Sequence, residues 1–413
     1  MAARLGRVQR IIRTRGLRGL LAAALRRVLD RLERGGAGPT QPMHLLVRWE
    51  DAVAVDWTEP APWQTEPRAV VSESLRTAWI MHPPGESSGG HQNIFRFITY
   101  LEAAGHTATV YLYDSFDRAV DPQRVQQMVA SSPSYPHVAA DFRMWDGGVA
   151  PDTDVIVATG WETAYPAFRD PSHARRAYFV QDFEPGFYPI GSEHTLAENT
   201  YRFGFRGITA GDWLATTLSR DYGMRTASFH FAADTETYHL TNRAARDEVF
   251  FYARPVTARR GFELGVMALE RLVELRPDVT IHLAGWDVSG YDLKFPYVHH
   301  AAMKITELND LYNRCGVGLV LSLTNLSLLP LELLAAGVIP VLNDGENNRL
   351  VTDNPYIEYS EATPAALART MDAVLSRPDL AEHAAAAAAS VGRDGWDASG
   401  ARFVAALEDV ARG

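Results

Sequence analysis

Short apolar runs alternate with amphipathic segments along most of this chain, and this alternation constrains its fold more than any other feature. Four such runs occupy the first half, at residues 76–82 (RTAWIMH), 107–113 (TATVYLY), 154–159 (DVIVAT) and 175–182 (RRAYFVQD). Between the first two runs, Ile94, Phe97, Ile98 and Leu101 recur at helical spacing. Strands that alternate with helices in this way predict a mainly parallel sheet.

A second series of the same kind follows, at residues 248–254 (EVFFYAR), 279–285 (VTIHLAG), 317–323 (VGLVLSL) and 338–342 (VIPVL). A chain of 413 residues also exceeds what one hydrophobic core usually serves. The sequence therefore predicts an α/β fold with two Rossmann-like domains, at residues 70–238 and 239–385. We expect a cleft between them, where the carboxyl ends of the strands meet.

Composition excludes several classes of site. The single cysteine, Cys315, rules out a disulfide framework, an iron–sulfur centre and a zinc site with several thiolates. No two histidines lie four residues apart, as a helical pair of metal ligands would, so we expect no metal and no cofactor. No apolar run reaches about 18 residues and no secretory signal is recognisable. These features predict a cytoplasmic protein that is soluble or bound to a membrane surface.

Charge is distributed unevenly along the chain. Residues 1–34 hold ten arginines against Asp30 and Glu33, a net charge of +8, whereas the whole chain carries −10. The remainder therefore carries −18, and an acidic body of this kind argues against nucleic-acid binding.

The arginine-rich segment at residues 1–38 has an apolar stripe at helical spacing beside its cationic positions. We expect a basic amphipathic helix whose residues 1–34 bind the anionic inner face of the cell membrane. A solvated or partner-binding helix is the alternative. Residues 35–42 (GGAGPTQP) have the composition of a linker.

Basic residues cluster where the first strand of the second domain ends. Arg254 follows the apolar run, and Arg259 and Arg260 come directly before Gly261 and a helix. Cations beside a helix N-terminus predict a pyrophosphate site, because charge and backbone donors converge there. Ordinary surface arginines are the alternative. Lys304 is a further candidate, since this chain contains only one other lysine.

Glu332 lies in the segment LPLELLAAG, just after a predicted strand of the second domain. A carboxylate in the first turn of a helix at such a place can accept hydrogen bonds from two ribose hydroxyls. It can equally be a helix residue that favours the positive end of the helix dipole. Its apolar neighbours indicate partial burial, and a buried carboxylate needs donors.

Two segments of the first domain also follow predicted strands. Gly89 and Gly90 open a helix at His91, so a ligand can approach the backbone closely there, although a tight turn alone explains them. Asp182 and Glu184, in QDFEP, are expected to hold acceptor hydroxyls or to cap the next segment.

Together these residues resemble the retaining, nucleotide-sugar-dependent glycosyltransferases of family 4, which have the GT-B fold. The resemblance spans residues 75–405 and rests on GGHQNIFRFITYLEAAGH, FVQDFEPGFYPIGS, FHFAADTETYH, FYARPVTARRGFELG and SLTNLSLLPLELLAAGVIPVLND. The run FVQDFEPGFYPIGS is similar to the WsaF-type rhamnosyltransferases of surface-glycan assembly, whose donor is dTDP-L-rhamnose.

The resemblance implies roles for individual residues. Arg254 and Arg260, with Lys304, would act on the leaving diphosphate as the catalytic cations, and Glu332 matches the second Glu of a Glu-x7-Glu motif. Thr324 stands where that motif has its first Glu. The implied donor contacts are Gly90, Arg254, Arg260, Gly285, Lys304, Asn325, Leu329 and Glu332. The implied acceptor contacts are His91, Gln92, Asp182 and Glu184.

The function implied is transfer of a sugar, L-rhamnose in the WsaF type, onto a glycan or lipid-linked glycan, with retention by same-face attack. Thr324 motivates the main alternative, an inactive nucleotide-sugar or glycan-binding protein on the same scaffold. A nucleotide-sugar epimerase and a membrane-binding module with a passive body are further alternatives.

The C-terminal segment, residues 386–413, continues a helical apolar stripe that includes Trp396 and Phe403, with no strand after it. In a GT-B protein the terminal helix crosses back onto the first domain. We expect this helix to do so, with the Trp396 ring buried at the interdomain hinge. The alternative is a helix that completes the core of the second domain.

Overall fold

The protein is described by a computed structural model that covers residues 45–70, 73–116, 118–301, 303–392 and 395–413. The basic arm predicted for residues 1–38 lies outside the described residues, and so does its predicted membrane contact. Among the described residues, no helix combines the length and the apolar character that crossing a membrane requires.

The first sheet consists of β1 (Arg76–Met81), β2 (Thr107–Leu112), β3 (Asp141–Met144), β4 (Val155–Ala158), β5 (Arg175–Val180), β6 (Arg206–Ala210) and β7 (Thr226–Phe229). Its strand order is β3-β2-β1-β4-β5-β6-β7, and every neighbouring pair is parallel. The central strand β4 is buried at all four positions. Such a strand is apolar on both faces because helices cover both sides of a parallel sheet.

The second sheet consists of β8 (Glu248–Tyr252), β9 (Ile281–Ala284), β10 (Val298–Ala301), β11 (Cys315–Val320), β12 (Ile339–Asn343) and β13 (Glu358–Ser360). Its order is β10-β9-β8-β11-β12-β13, again with parallel pairs throughout. This order has the Rossmann topology. The prediction of two Rossmann-like domains is confirmed, and the connection at residues 230–247 holds neither helix nor strand.

Helices connect and cover the strands. Their bounds are Trp49–Ala54, Pro62–Thr65, Gly89–Ala103, Pro122–Ser131, Trp161–Arg169, Ser192–Thr200, Asp212–Tyr222, Phe262–Leu275, Ile305–Tyr312, Leu329–Ala335, Glu346–Arg349, Pro364–Leu375, Leu380–Ala389 and Gly395–Arg412. Short 3-10 helices lie at Glu184–Phe187 and Ala258–Arg260.

The C-terminal helix Gly395–Arg412 lies against the first sheet, although it follows the second sheet in the chain. Phe403 is fully buried, with its ring 4.7 Å from that of Phe97 and 5.9 Å from that of Trp79. Burial of a large aromatic side chain contributes several kcal/mol, about 3–5 kcal/mol as judged by truncation to Ala. This helix therefore ties the end of the chain to the core of the first domain.

Trp396 opens this helix and differs from the expectation of a buried ring. Its side chain is half-buried. The Arg96 guanidinium, 3.8 Å from the ring centroid, covers one face of the indole. The ring edge meets Phe97 at a centroid distance of 6.2 Å. Trp396 thus packs between Arg96 and Phe97 of the first domain.

Candidate functional site between the two sheets

Asp182, which follows β5 of the first sheet, joins the two domains. Its Oδ1 accepts hydrogen bonds from the backbone N–H groups of Phe183 (2.9 Å) and Asn325 (2.8 Å), and Asn325 belongs to the second domain. Its Oδ2 accepts from Nε of Arg259 at 3.0 Å. Both carboxylate oxygens are therefore occupied. We call Asp182, Arg259 and Asn325 the interdomain clasp.

The side chain of Asn325 strengthens the clasp. Its Nδ2 donates to the carbonyl oxygens of Gln181 (3.0 Å) and Ala210 (2.9 Å), both in the first domain. The sequence analysis expects Asp182 to contact the acceptor substrate and Asn325 to contact the nucleotide-sugar donor. In the structure these polar groups instead bind each other's domain, because the carboxyl ends of β5 and β11 face one another. Among the side-chain polar atoms of the clasp, only Oδ1 of Asn325 is buried without a hydrogen-bond partner.

The turn Glu184–Phe187 extends the interdomain contact. The Arg259 guanidinium lies over the ring of Phe187, 4.0 Å from its centroid. A Cβ at Gly186 would come within 2.8 Å of Cγ2 of Thr324, so only glycine permits this approach. Thr324, which occupies the place of the first motif Glu, is therefore covered by the first domain, and its Oγ1 is buried without a partner.

Glu184 does not face the cleft as the acceptor assignment requires. It is buried, and its Oε2 accepts hydrogen bonds from the backbone N–H of Trp161 (2.5 Å) and from the hydroxyl of Tyr178 (2.8 Å). The turn that begins at Glu184 directs its side chain back to the start of helix Trp161–Arg169. Burial, and then the nearby carboxylate of Glu162, raise the pKa of Glu184 well above its ordinary value. Glu184 is thus a helix cap inside the first domain.

Arg254 and Arg260 lie beyond the carboxyl end of β8, as the pyrophosphate prediction requires. Nη1 of Arg260 donates to Oγ of Ser322 at 2.9 Å and to the carbonyl oxygen of Asn325 at 3.4 Å. Burial lowers the pKa of Arg260, while Asp182 opposes that effect. Part of this guanidinium therefore supports the loop after β11.

Arg254 has more unused hydrogen-bonding capacity. Nη1 of its guanidinium donates to the hydroxyl of Tyr252 at 3.1 Å, and its Nε is buried without a partner. A buried N–H without an acceptor is costly unless a ligand supplies one. Arg254 is thus the cation of this loop with the clearest need for an anionic ligand.

Glu332 lies in the first turn of helix Leu329–Ala335, which follows β11, the neighbour of β8. Burial raises the pKa of Glu332 to about 7, while Arg96 lowers it and Asp234 raises it further. Within the described residues, no protein group donates a hydrogen bond to this carboxylate. Its acceptor capacity is available to a ligand. Leu329, in the same helix, is buried and contributes packing only.

Sequence reasoning missed Arg96, which lies in the second turn of helix Gly89–Ala103. The guanidinium of Arg96 stacks on Trp396 and donates through Nη1 to Oδ1 of Asn93 at 3.3 Å. The charges of Asp234 and Glu332 both act on it. Arg96 and Trp396 are about 300 positions apart, so no local signal could have paired them.

The start of helix Gly89–Ala103 is already satisfied by the protein. The backbone N–H of His91 donates to Oγ of Ser88, the helix N-cap. Nε2 of His91 lies 3.0 Å from the carbonyl oxygen of His82, which can only accept, so Nδ1 accepts from Ser88 at 3.0 Å. Both ring nitrogens are used within the protein. Gln92, next to it, is partly exposed and stays a candidate acceptor contact.

Gly90, Gly285 and Lys304 complete the predicted set. The carbonyl oxygen of Gly90 accepts from Nε2 of Gln181 at 3.1 Å, which links the helix start to the strand that leads to the clasp. Gly285 has φ +116°, and a Cβ there would lie 2.4 Å from the ring of Tyr252, so the turn after β9 requires glycine. Lys304 is exposed, and in the described part of the chain its ammonium contacts none of the other candidates.

A group of possible metal ligands lies at the opposite end of the second sheet. Glu248, His282 and Cys315 place one ligand atom each within 4.8 Å of one another. However, Glu248 Oε2 is 2.6 Å from Nε2 of His282 and 3.0 Å from Nε of Arg314. Burial also raises the pKa of the Cys315 thiol. A neutral thiol beside a guanidinium fits a hydrogen-bonded network better than a metal site.

Family models match both halves of this architecture. The WsaF N-terminal domain matches residues 138–210, within the first sheet, and the WsaF C-terminal domain matches residues 247–372, which contain the whole second sheet. The chain thus matches the models of both WsaF domains. The WsaF resemblance drawn from the sequence is therefore confirmed.

Most of this chain is also similar to a protein of O-antigen biosynthesis. The O-antigen biosynthesis protein RfbC of Myxococcus xanthus is 34% identical over 340 residues. The match covers 80% of this chain and 26% of that protein, so this chain spans about a quarter of the relative's length.

Solved structures share the GT-B fold of this chain. The Anabaena protein Alr3699/HepE, solved with UDP-glucose, has a TM-score of 0.61 at 13% identity and covers 81% of this chain and 100% of its own. The sucrose-phosphate synthase of Thermosynechococcus elongatus has a TM-score of 0.55 at 12% identity, with coverage of 82% and 96%. At these identities the likeness shows the fold alone.

Proposed function

We propose that this chain is a glycosyltransferase that moves a sugar from a nucleoside diphosphate sugar to a glycan or lipid-linked glycan during surface-glycan assembly. Three observations support the proposal: the two WsaF domains, the O-antigen biosynthesis relative, and a neighbour of the same fold that binds UDP-glucose. The proposed donor is dTDP-L-rhamnose, on the resemblance to the WsaF type, and the proposed outcome is retention.

The observation that carries the proposal is the pair Arg254 and Glu332. They lie beyond the carboxyl ends of β8 and β11, two adjacent strands, and each has hydrogen-bonding groups that no described protein group satisfies. A guanidinium without an acceptor and a carboxylate without a donor suit the diphosphate and the ribose of one ligand.

In this mechanism the chain acts mainly through charge and position. As the bond between the sugar and the phosphate lengthens, negative charge grows on the leaving diphosphate and the sugar acquires oxocarbenium character. Arg254 stabilises that negative charge, and Arg260 adds to the positive field from the same loop. Removal of one such preorganised group commonly costs about 3 kcal/mol of transition-state stabilisation. The mechanism invokes no metal and no cofactor.

The acceptor approaches from the first domain, where Gln92 lies at the start of helix Gly89–Ala103 and offers a partly exposed amide. We propose that residues 1–34 hold the protein at the inner face of the cell membrane, because a lipid-linked acceptor would be presented there.

Thr324 favours a second candidate, a nucleotide-sugar-binding protein without transferase activity, since it replaces the first motif Glu and is covered by Gly186.

A transfer assay separates these functions. The full chain is incubated with a panel of nucleotide sugars and lipid-linked glycan acceptors, and products are followed by mass spectrometry. Transfer from dTDP-L-rhamnose that is lost in R254A and E332A but kept in R124Q is the expected result; Arg124 lies exposed on helix Pro122–Ser131. Donor binding without transfer to any acceptor would support the binding protein instead.

A further inference from the structure

The protein holds only one edge of the Arg260 guanidinium. Its Nη1 donates to Oγ of Ser322 at 2.9 Å and to the carbonyl oxygen of Asn325 at 3.4 Å. Ser322 is fully buried, and its Oγ also donates to that carbonyl oxygen at 2.6 Å. Within the described residues no protein group accepts from Nε or Nη2 of Arg260, and neither atom is fully buried. These N–H groups are therefore available to a ligand.

Asp182 of the first domain binds both segments on which Arg260 depends. Its Oδ2 accepts from Nε of Arg259, the residue directly before Arg260, at 3.0 Å. Its Oδ1 accepts at 2.8 Å from the backbone N–H of Asn325, whose carbonyl oxygen holds Arg260. The two segments also bind each other, since the backbone N–H of Leu323 donates to the carbonyl oxygen of Arg259 at 2.9 Å. One carboxylate thus joins the loop that carries the guanidinium to the loop that supports it.

Little of Asp182 is left for a substrate. Its side chain is 12% exposed, and each of its oxygens already accepts a hydrogen bond from the protein. An acceptor hydroxyl would have to compete with a guanidinium and with backbone N–H groups for these oxygens. Hydrogen bonds between charged groups are short and strongly directional, which suits an anchor. The contacts therefore favour a role for Asp182 that acts through the second domain.

We propose that Asp182 is a positioning residue that holds the Arg260 guanidinium, through Arg259 and Asn325, where the donor diphosphate binds. The inference rests on the proposed function, since the diphosphate belongs to it. It replaces the acceptor contact expected of Asp182 from the sequence. Donor binding in the second domain then depends on a side chain of the first, because a displacement of about 1 Å is enough to weaken a preorganised contact.

The first test measures thymidine diphosphate binding by calorimetry for wild type, D182N, R260Q and the double variant D182N/R260Q. D182N keeps the shape of the side chain, but its amide has one acceptor oxygen where the carboxylate has two. We expect D182N to bind about tenfold more weakly than wild type, the cost of one weakened charge-assisted contact. In the R260Q background D182N should cost no further affinity, because its effect passes through Arg260.

Two further variants make this test specific. D141N changes an exposed carboxylate at the start of β3 in the same domain and should bind like wild type. F187A leaves Asp182 in place but removes the ring that covers the Arg259 guanidinium, so it should cause a smaller loss that also disappears beside R260Q. Circular dichroism confirms that each variant is folded at the temperature of the measurement. Wild-type affinity in D182N and F187A, or losses that add to that of R260Q, would overturn the proposal.

A ligand-free measurement separates this inference from the proposed function. In D182N, hydrogen exchange at residues 322–326 should speed up about tenfold more than exchange in β12 of the same sheet, because only the loop loses its anchor. An equal change in both segments would show a general loss of stability and would overturn the positioning role. Faster exchange confined to the loop, in a chain whose wild type binds no thymidine diphosphate, would contradict only the proposed function.

Discussion

Oδ1 of Asp182 accepts a hydrogen bond from the backbone N–H of Asn325 at 2.8 Å, although the two residues belong to different domains and lie 143 positions apart. The same carboxylate accepts from Arg259. The segments that follow β5 and β11 are therefore joined directly across the two domains.

The clasp predicts the effect of removing its carboxylate. D182A leaves the backbone N–H of Asn325 and the guanidinium of Arg259 without their acceptor, since both are largely buried from water. We expect a loss of about 2–4 kcal/mol in the free energy of unfolding. D182N, which keeps one oxygen acceptor, should lose less. Urea denaturation measures both, and equal stability of D182A and wild type would contradict the clasp.

The close approach of Gly186 to Thr324 can be tested by adding one methyl group at position 186. G186A places a methyl group 2.8 Å from Cγ2 of Thr324. We expect about 1–3 kcal/mol of destabilisation from this overpacking. The double variant G186A/T324S removes Cγ2 and should recover most of that stability, which a local backbone effect at Gly186 would not allow. Thermal unfolding of the two variants and of T324S alone decides between these explanations.

The raised pKa of Glu184 predicts that the stability of the fold depends on pH. Its folded-state pKa is raised well above the ordinary value, so ionisation opposes folding and costs stability as pH rises above about 4.5. E184Q is neutral at every pH and keeps an oxygen for the N–H of Trp161. The stability of E184Q relative to wild type should therefore increase between pH 5 and 8. A difference that shrinks over that range would show that the ionised carboxylate is the stabilising form.

Phe403 predicts the contribution of the C-terminal helix to the first domain. The F403A variant removes a fully buried ring that contacts Phe97 and Trp79. A loss of about 3–5 kcal/mol is expected, with protection from hydrogen exchange falling in β5 and β7 and not in the second sheet. The matched control is V404A, on the partly exposed side of the same helix. Equal costs of F403A and V404A would contradict the packing described.

The larger strands were predictable because their apolar runs are long and lie between turn residues, as β1, β2 and β11 show. The sequence analysis did not predict β3, β6, β7, β10 and β13. Of these, β3, β7 and β13 have only three or four residues and include exposed or half-buried positions. A short strand at or near a sheet edge carries little periodicity. Its position is determined by the neighbouring strand with which it pairs.

The candidate site could also be predicted only in part, because sequence patterns report local structure and not tertiary contacts. Arg254 and Glu332 follow predicted strands, so a local rule about strand ends was enough to select them. The same rule also selected Asp182, and the family resemblance selected Asn325, but neither can tell a group that binds a ligand from one that binds the opposite domain. The pairing of Arg96 with Trp396 depends on how the C-terminal helix packs against helix Gly89–Ala103, and the tertiary structure is needed to show that packing.

Hydrogen exchange with and without thymidine diphosphate tests the central claim, that the donor site lies in the second domain at Arg254 and Glu332. We predict protection of residues 252–261 and 329–336 in the wild-type chain, lost in R254A, with helix Pro122–Ser131 unchanged throughout. Protection confined to the first domain, or protection that survives unchanged in R254A, would contradict the account.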